Sequence, residues 1–203
     1  MPDARFAPVG TLRTGISFLR PYETLWTNIT MFPWLEGSFR FTRIYHVPGF
    51  AEDRPDADPT DYRDKSFDAK IQLLPERGWW PAVAVGMQDI AGGTGIFSAP
   101  YGVASKRLGE LDFSLGYGRQ RIDGVFGGVR WSPGALEGWS LVAEYDAYDY
   151  KNDKGADLSG AASYKKEAAL GLEYRSQLWG AKAFTSHGEV GFNAYVQLPL
   201  ERR

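Results

Sequence analysis

The sequence contains no cysteine, no long apolar run and almost no net charge. Without cysteine, a disulfide framework and a thiolate-ligated metal site are excluded. Its 23 basic residues nearly balance 25 acidic ones, so the formal charge of −2 provides no basic field for nucleic acid. No apolar run approaches the roughly 18 residues of a membrane-spanning helix. A β-barrel stays possible, because half-polar barrel strands produce only a weak hydropathy signal.

The first residues show no recognisable signal peptide, because Met1 to Arg5 is not followed by an apolar core. On this ground we expect either a chain whose leader has been removed or a cytoplasmic protein. The length of 203 residues allows one large domain or two small ones. The same strand pattern continues along the chain, and we therefore expect residues 1–203 to form a single barrel domain.

What is present in abundance is glycine, with 24 residues, and aromatic side chains, at 15%. The clearest pattern lies in residues 64–97, where every second residue from Phe67 to Leu73 is apolar and those between are polar. This period of two predicts a strand with one apolar and one polar face. Residues 75–78 break the run, and a second strand is predicted from 82 to about 90. A tryptophan pair, Trp79 and Trp80, caps the turn between them, as expected where a strand leaves a bilayer.

The same pattern predicts about twelve strands and no helix. They cover residues 11–18, 24–31, 37–46, 64–74, 82–90, 98–106, 111–118, 124–131, 139–150, 163–175, 180–185 and 190–200. Strands this close in sequence favour an up-and-down meander in which each strand pairs with the next.

The connections between these strands alternate in length. The two longest follow strands three and nine, at residues 48–64 and 151–160, whereas the even-numbered connections are short. Long loops on one side and short turns on the other are typical of outer-membrane barrels. Six of the seven tryptophans lie in or beside the even turns and predict an aromatic girdle at the membrane interface. These are Trp34, Trp79, Trp80, Trp131, Trp139 and Trp179.

These patterns predict an all-β, closed, antiparallel, up-and-down transmembrane barrel of about twelve strands, with both termini at the periplasmic rim. A soluble meander barrel such as a lipocalin-like cup is the alternative. It would need its apolar face inward, and eight strands would be more usual.

Several short segments, in order from the N-terminus to Gly116, carry a family resemblance. They are residues 1–5 (MPDAR), 33–36 (PWLE) with Arg40-Phe41, 64–70, 84–90 with 93–95, 104–106 and 112–116. At these positions the chain resembles the YjbH family of outer-membrane proteins linked to exopolysaccharide and capsule export. Family members are usually longer, and some have a lipidated N-terminus, so the resemblance implies that this chain is one barrel module of a larger lipoprotein. It carries over no catalytic residue.

The polar strand faces would line the lumen, and their mixed charges favour ion pairs across it. These polar residues either stabilise the barrel wall or form a polar path along which a sugar moves. In the second case the sugar would stack on Trp26, Tyr148 or Tyr195. The candidate lumen residues are Arg13, Arg40, Asp68, Lys70, Gln88, Asp112, Arg130, Glu144, Asp146, Glu173 and Arg175.

Other chemistry has weaker support. Ser186-His187 and His46 are the only elements of a hydrolase, and adjacent strand residues usually point apart, so we expect no catalytic site. The aspartates of residues 53–64 do not match a calcium loop, and the glycines of 92–95 do not match a phosphate loop. We therefore expect no metal and no cofactor.

Taken with the resemblance, these observations predict a non-enzymatic outer-membrane component of exopolysaccharide export or assembly. Expected partners are outer-membrane lipid or lipopolysaccharide, the polysaccharide, and a periplasmic export protein, but not nucleic acid. An outer-membrane lipid hydrolase of the Ser/His type and a passive small-solute channel are the alternatives.

Overall fold

A computed structural model describes residues 1–45, 61–145, 147–148, 151 and 166–200, and it shows a closed barrel of twelve antiparallel strands. The predicted fold class is therefore confirmed. The strands are β1 (Thr11–Leu19), β2 (Tyr22–Phe32), β3 (Leu35–Tyr45), β4 (Asp61–Leu74), β5 (Ala82–Gly92), β6 (Ala99–Leu108), β7 (Leu111–Gly118), β8 (Gly124–Trp131), β9 (Trp139–Tyr145), β10 (Ala168–Arg175), β11 (Trp179–Ser186) and β12 (Glu189–Pro199).

Each strand pairs with its neighbour in sequence, and β1 pairs with β12 to close the barrel. Closure leaves none of the twelve described strands at an unpaired edge, and a β-structure that spans lipid must be closed in this way. No helix among the described residues is long and apolar enough to cross a membrane.

The apolar strand faces point outward. In β7, Leu111, Phe113, Leu115 and Tyr117 are exposed, whereas the residues between them are partly or fully buried. The buried side chains include many polar and charged groups, among them Asp64, Asp89 and Glu173. This arrangement is the reverse of a soluble barrel, whose apolar face would form the core.

The connections sort by length between the two ends of the barrel. The long ones, β3–β4 and β9–β10, leave from one end, which we call the loop end, while the short even connections lie at the other, the turn end. The six candidate interface tryptophans all lie at the turn end, and each is exposed, from 43% at Trp131 and Trp139 to 92% at Trp79.

Residues 1–8 precede β1 and run inside the barrel from the turn end. The Ala4 amide donates to Ser105 Oγ on β6 at 2.9 Å, and Ala4 is completely buried. Lys70 Nζ on β4 donates to the Arg5 carbonyl oxygen at 2.7 Å. The sequence prediction placed the N-terminus at the rim and missed this lumenal segment.

The segment packs against the larger of two buried apolar clusters among the residues described. There Ala4 joins a buried cluster on β5, β6 and β8 that includes Ala84, Val103 and Phe126, with Met1 and Phe6 packed beside it. One side of the lumen is therefore filled, and the open space lies against β1–β3 and β10–β12.

Three predicted boundaries were clearly wrong, one of them at β10, which was predicted from residue 163 but begins at Ala168. The strand predicted over residues 139–150 ends at Tyr145, and Ala147, which lies beyond its end, is buried in the apolar cluster. Beyond the last paired residue of a strand, side chains no longer alternate between the two faces of the sheet. The polar loop predicted up to residue 64 ends earlier, because β4 begins at Asp61, whose carboxylate pairs with Arg43.

Candidate functional site

The open part of the lumen holds a cavity of about 520 Å³, and its wall is polar and aromatic. Residues from β1–β5 and from β10–β12 contribute to it. A second cavity of about 550 Å³ opens at the turn end, and Arg175 lines both. We call them the central cavity and the rim cavity. Each has the size of a ligand pocket for a small molecule.

The structure places the candidate lumen residues inside the barrel, except Asp146, which lies outside the described residues. Arg13, Arg40, Asp68, Gln88, Glu173 and Arg175 line the central cavity, Asp112 and Arg130 the rim cavity, and Lys70 and Glu144 two smaller adjoining spaces.

Glu173 is the most buried of these residues, at 6% exposure, and it bridges two arginines. Its Oε2 accepts from Arg130 Nε at 2.9 Å, and its Oε1 lies 2.9 Å from Arg175 Nη2. One carboxylate thus balances two guanidinium groups at the junction of the two cavities, which leaves a net positive charge there.

Two further pairs brace the wall on the opposite side. Arg40 Nη2 donates to Asp68 Oδ1 at 2.7 Å, and the same oxygen accepts from the Asp89 amide at 2.8 Å. Lys70 Nζ lies 3.2 Å from Glu36 Oε1. Such pairs satisfy charges that would be costly if left unpaired in a confined space.

Asp112 and Glu144 both meet partners that the sequence prediction did not include. Asp112 accepts two hydrogen bonds from the Arg5 guanidinium, at 2.6 and 3.0 Å, and so fixes the lumenal N-terminal segment. Glu144 accepts from Lys182 Nζ on β11 at 2.8 Å.

Arg13 differs from Arg5, Arg40, Arg130 and Arg175, because it makes no ion pair with a described carboxylate. Its Nε donates to the neutral Gln197 Oε1 at 3.1 Å, and its guanidinium lies 5.7 Å from the centre of the Tyr195 ring. Arg13 is thus a cation on the cavity wall whose charge has no neutralising partner in the described part of the chain.

Trp26 and Tyr195 lie close against the barrel wall, with ring centres 5.8 Å apart. Glycine makes this position possible. A Cβ on Gly15 would stand 2.9 Å from the Trp26 ring, and one on Gly180 would stand 2.6 Å from the Tyr195 ring. The two rings therefore cover glycine backbone and remain on the wall of the central cavity.

At the loop end, Arg121 lies among three aromatic rings. Its guanidinium is 4.4 Å from the ring centre of Phe97, 5.0 Å from Tyr22 and 5.4 Å from Tyr148. Tyr148, one of the predicted stacking residues, thus contacts a cation as well as the cavity, and cation–π attraction stabilises this group.

Glu76 in the β4–β5 turn holds the N-terminal segment at the rim. It pairs with Lys106 at 2.8 Å and with Arg5. Hydrogen bonding from Lys106, with a further bond from Arg5, outweighs burial and lowers the pKa of Glu76 to about 2.

Ser186 and His187 lie closer than predicted. Ser186 Oγ is 2.8 Å from His187 Nδ1, although adjacent strand residues usually point apart. His187 has a φ of 54°, so the chain has already left the extended conformation. Glu167 accepts a hydrogen bond from the His187 backbone amide rather than orienting the ring through that contact. His46 and the aspartates at 53, 56 and 58 lie outside the described residues, and the described part of the chain holds no cluster suited to a metal ion.

Sequence reasoning missed Arg5, Lys182 and Glu36. Lys182 and Glu36 could have been found, because each alternates with outward-facing neighbours on its strand. Arg5 could not, because residues 1–8 contain no period-two pattern that indicates where they lie.

Comparison with known proteins adds a family and a fold. The family model described as exopolysaccharide biosynthesis protein YbjH matches residues 1–124 and 122–203. The chain is 35% identical over 180 residues to "Uncharacterized lipoprotein YjbH" of Escherichia coli (strain K12), covering 86% of this chain. The match spans 24% of that relative, about a quarter of its length.

Two solved structures share the barrel fold. The "KdgM porin" superposes with a TM-score of 0.55 at 10% identity, over 92% of this chain and 97% of that one. The "KdgM porin in complex with disordered oligogalacturonate" gives a TM-score of 0.53 at 11% identity with the same coverage. At such low identity the similarity shows the fold alone.

Proposed function

The chain belongs to the YjbH family of exopolysaccharide biosynthesis proteins, and on this premise we propose that it is an outer-membrane barrel whose lumen passes or guides a polysaccharide chain. The observation that carries the proposal is the polar and aromatic central cavity, which continues through Arg175 into the rim cavity. In this proposal the turn end faces the periplasm, and a periplasmic protein delivers the polymer there.

The exposed girdle supports a place in the bilayer. Apolar side chains cover the outside of the strands, and tryptophans gather at one rim, where amphipathic rings favour the lipid headgroups. Lipid or lipopolysaccharide would then contact the outer face of the barrel, as proposed from the sequence.

A solved barrel of similar fold is consistent with the proposal that sugar passes through the lumen. One solved barrel of similar fold, the KdgM porin, is described in complex with a disordered oligogalacturonate. That ligand belongs to the neighbour, but it is consistent with a role of this barrel geometry in accommodating a saccharide chain.

A polymer that moves through the lumen should be stopped by a bulky side chain in the central cavity. Ser17 on β1 lines that cavity, whereas Thr14 on the same strand is exposed on the outer face. We expect Ser17→Trp, in a strain lacking the chromosomal gene, to lower surface polysaccharide and to raise the periplasmic amount. Thr14→Trp adds the same bulk outside and should export normally. Normal export by Ser17→Trp at wild-type protein levels would contradict the lumen as the route.

Lipid hydrolysis is the second candidate, favoured only by the short Ser186–His187 contact. Ser186 is buried at 5% exposure, and a nucleophile must reach its substrate. Lipid release by the wild type that is lost in both Ser186→Ala and His187→Ala would establish this activity. We expect no release from either the wild type or the variants.

A passive small-solute channel is tested by conductance in planar bilayers. Because the N-terminal segment and the apolar cluster fill one side of the lumen, we expect low conductance without polymer.

A further inference from the structure

Charge is distributed unevenly between the lumen and the rest of the chain. The described residues lining the central cavity include five cationic side chains and three anionic ones, and those lining the rim cavity include four and two. The whole chain, in contrast, carries a net charge of −2. A cationic track inside a nearly neutral protein attracts anions into a confined space.

The strand register sets the cationic and aromatic groups side by side. Arg175 pairs with Gly180, Gly180 with Tyr195, Tyr195 with Gly15, Gly15 with Trp26, and Trp26 with Arg40. We call Arg175, Tyr195, Trp26 and Arg40 the arginine–aromatic band. It crosses the barrel wall from β10 to β3, with an arginine at each end and two rings between them.

Arg13 lies beside this band and adds a cation without a carboxylate partner among the described residues. It is two residues from Gly15 on β1 and its guanidinium faces the Tyr195 ring at 5.7 Å. Its Nε donates to a neutral amide oxygen. It can therefore accept a new anion without breaking an ion pair visible in this structure.

We propose that the arginine–aromatic band with Arg13 is a binding site for an anionic saccharide, such as a uronic acid polymer. The inference rests on the proposed function, since it names the substrate class of the same lumen. A guanidinium matches a carboxylate in charge and in its two-pronged hydrogen-bonding geometry. The apolar face of a sugar ring packs on Trp26 and Tyr195. Because Gly15 and Gly180 have no side chain, the two aromatic rings lie close to the barrel wall and leave space in the lumen for the sugar.

Binding of two matched probes to the detergent-solubilised full chain tests this proposal. The first probe is an oligogalacturonate of defined length, and the second is the same oligomer with its carboxylates methyl-esterified. Calorimetry should show binding of the acidic probe at least about tenfold tighter, because a hydrogen bond to a charged group contributes that much. Added salt should weaken binding of the acidic probe more than binding of the ester.

Arg13→Gln is the informative variant, because removing Arg13 leaves no described carboxylate without its partner. We expect this variant to bind the acidic probe about tenfold more weakly than the wild type and to bind the ester with unchanged affinity. Arg77→Gln removes the same charge from an exposed turn outside both cavities and should bind like the wild type. Migration of unboiled samples on a gel checks that both variants are folded.

The outcomes separate the two proposals. Equal binding of both probes, or an Arg13→Gln variant that binds the acidic probe like the wild type, would overturn the anionic site and leave the sugar lumen standing. Binding of neither probe to a folded barrel would contradict both.

A second variant tests the aromatic half of the band. Trp26→Leu removes one ring but no charge, so it should weaken binding of both probes by a similar factor. Unchanged binding of both probes would show that the Trp26 ring does not contribute to the site.

Discussion

Glycine residues determine how closely aromatic rings approach the lumen wall. Besides Gly15 and Gly180, a Cβ on Gly86 would lie 2.4 Å from the Tyr101 ring, and one on Gly116 would lie 2.2 Å from Phe126. The high glycine content therefore has a packing role, because each ring needs a wall without a side chain beneath it.

Gly15→Ala tests this role. Its Cβ would stand 2.3 Å from the Ala194 carbonyl oxygen, which is backbone and cannot move aside cheaply. We expect a loss of about 1–3 kcal/mol in the free energy of unfolding, the usual cost of overpacking. Urea titration in micelles measures it.

Gly102→Ala is the matched control. Gly102 also lies in a strand, but no atom of the described residues stands within 4 Å of its added Cβ. Its variant should unfold with the wild-type midpoint. Equal stability of the two variants would show that the rings do not need the glycine wall.

At the scale of elements, the lumenal N-terminal segment depends on ion pairs at the rim. Glu76 lies in the β4–β5 turn and contacts Arg5 of the segment and Lys106 of β6. The turn, the segment and the neighbouring strand are thus joined by one carboxylate.

This carboxylate predicts an acid-dependent loss of stability. The pKa of Glu76 is lowered from 4.5 to about 2, so its contribution is present above about pH 4.5 and is lost as the pH falls towards 2. The difference in unfolding free energy between the wild type and Glu76→Gln should be constant above pH 4.5 and shrink below it.

Unfolding titrations at a series of pH values measure this difference. A difference between the wild type and Glu76→Gln that stays flat from pH 4.5 to 2 would mean that the pKa of Glu76 is unshifted.

The elements differ in how well the sequence predicts them. The strand β7 was predicted correctly because alternation from Leu111 to Gly118 directly reflects two environments. Residues 1–8 were not placed, because their position depends on contacts with Lys70, Ser105 and Asp112, which are distant in sequence.

The site was predicted in part for the same reason. Alternation placed ten lumen residues on the inner face, but it cannot say which carboxylate meets which cation. The bridge between Arg130, Glu173 and Arg175 and the arginine–aromatic band depend on register and closure. Ser186 and His187 show the limit of the rule, since alternation fails where the backbone turns.

At the scale of the whole molecule, the barrel has its apolar face outside. If lipid surrounds that face, a charge at mid-strand should be costly and a charge near the rim should cost little. Leu115→Arg, on the exposed middle of β7, should lower the free energy of unfolding in lipid by about 2–4 kcal/mol.

The control has the same substitution at the rim. Leu108 is exposed at the last position of β6, beside a short turn, and Leu108→Arg should cost about 1 kcal/mol or less. Equal costs at the two positions would place the outer face in water.

The decisive measurement is whether this chain needs lipid or detergent to fold. Far-UV circular dichroism and migration of boiled and unboiled samples on a gel, with and without detergent, give the answer. A transmembrane barrel should show a strand-dominated spectrum and a heat-dependent shift in migration only when detergent or lipid is present. A chain that folds fully in plain buffer would contradict the membrane barrel, since the exposed apolar face would then have to form a core.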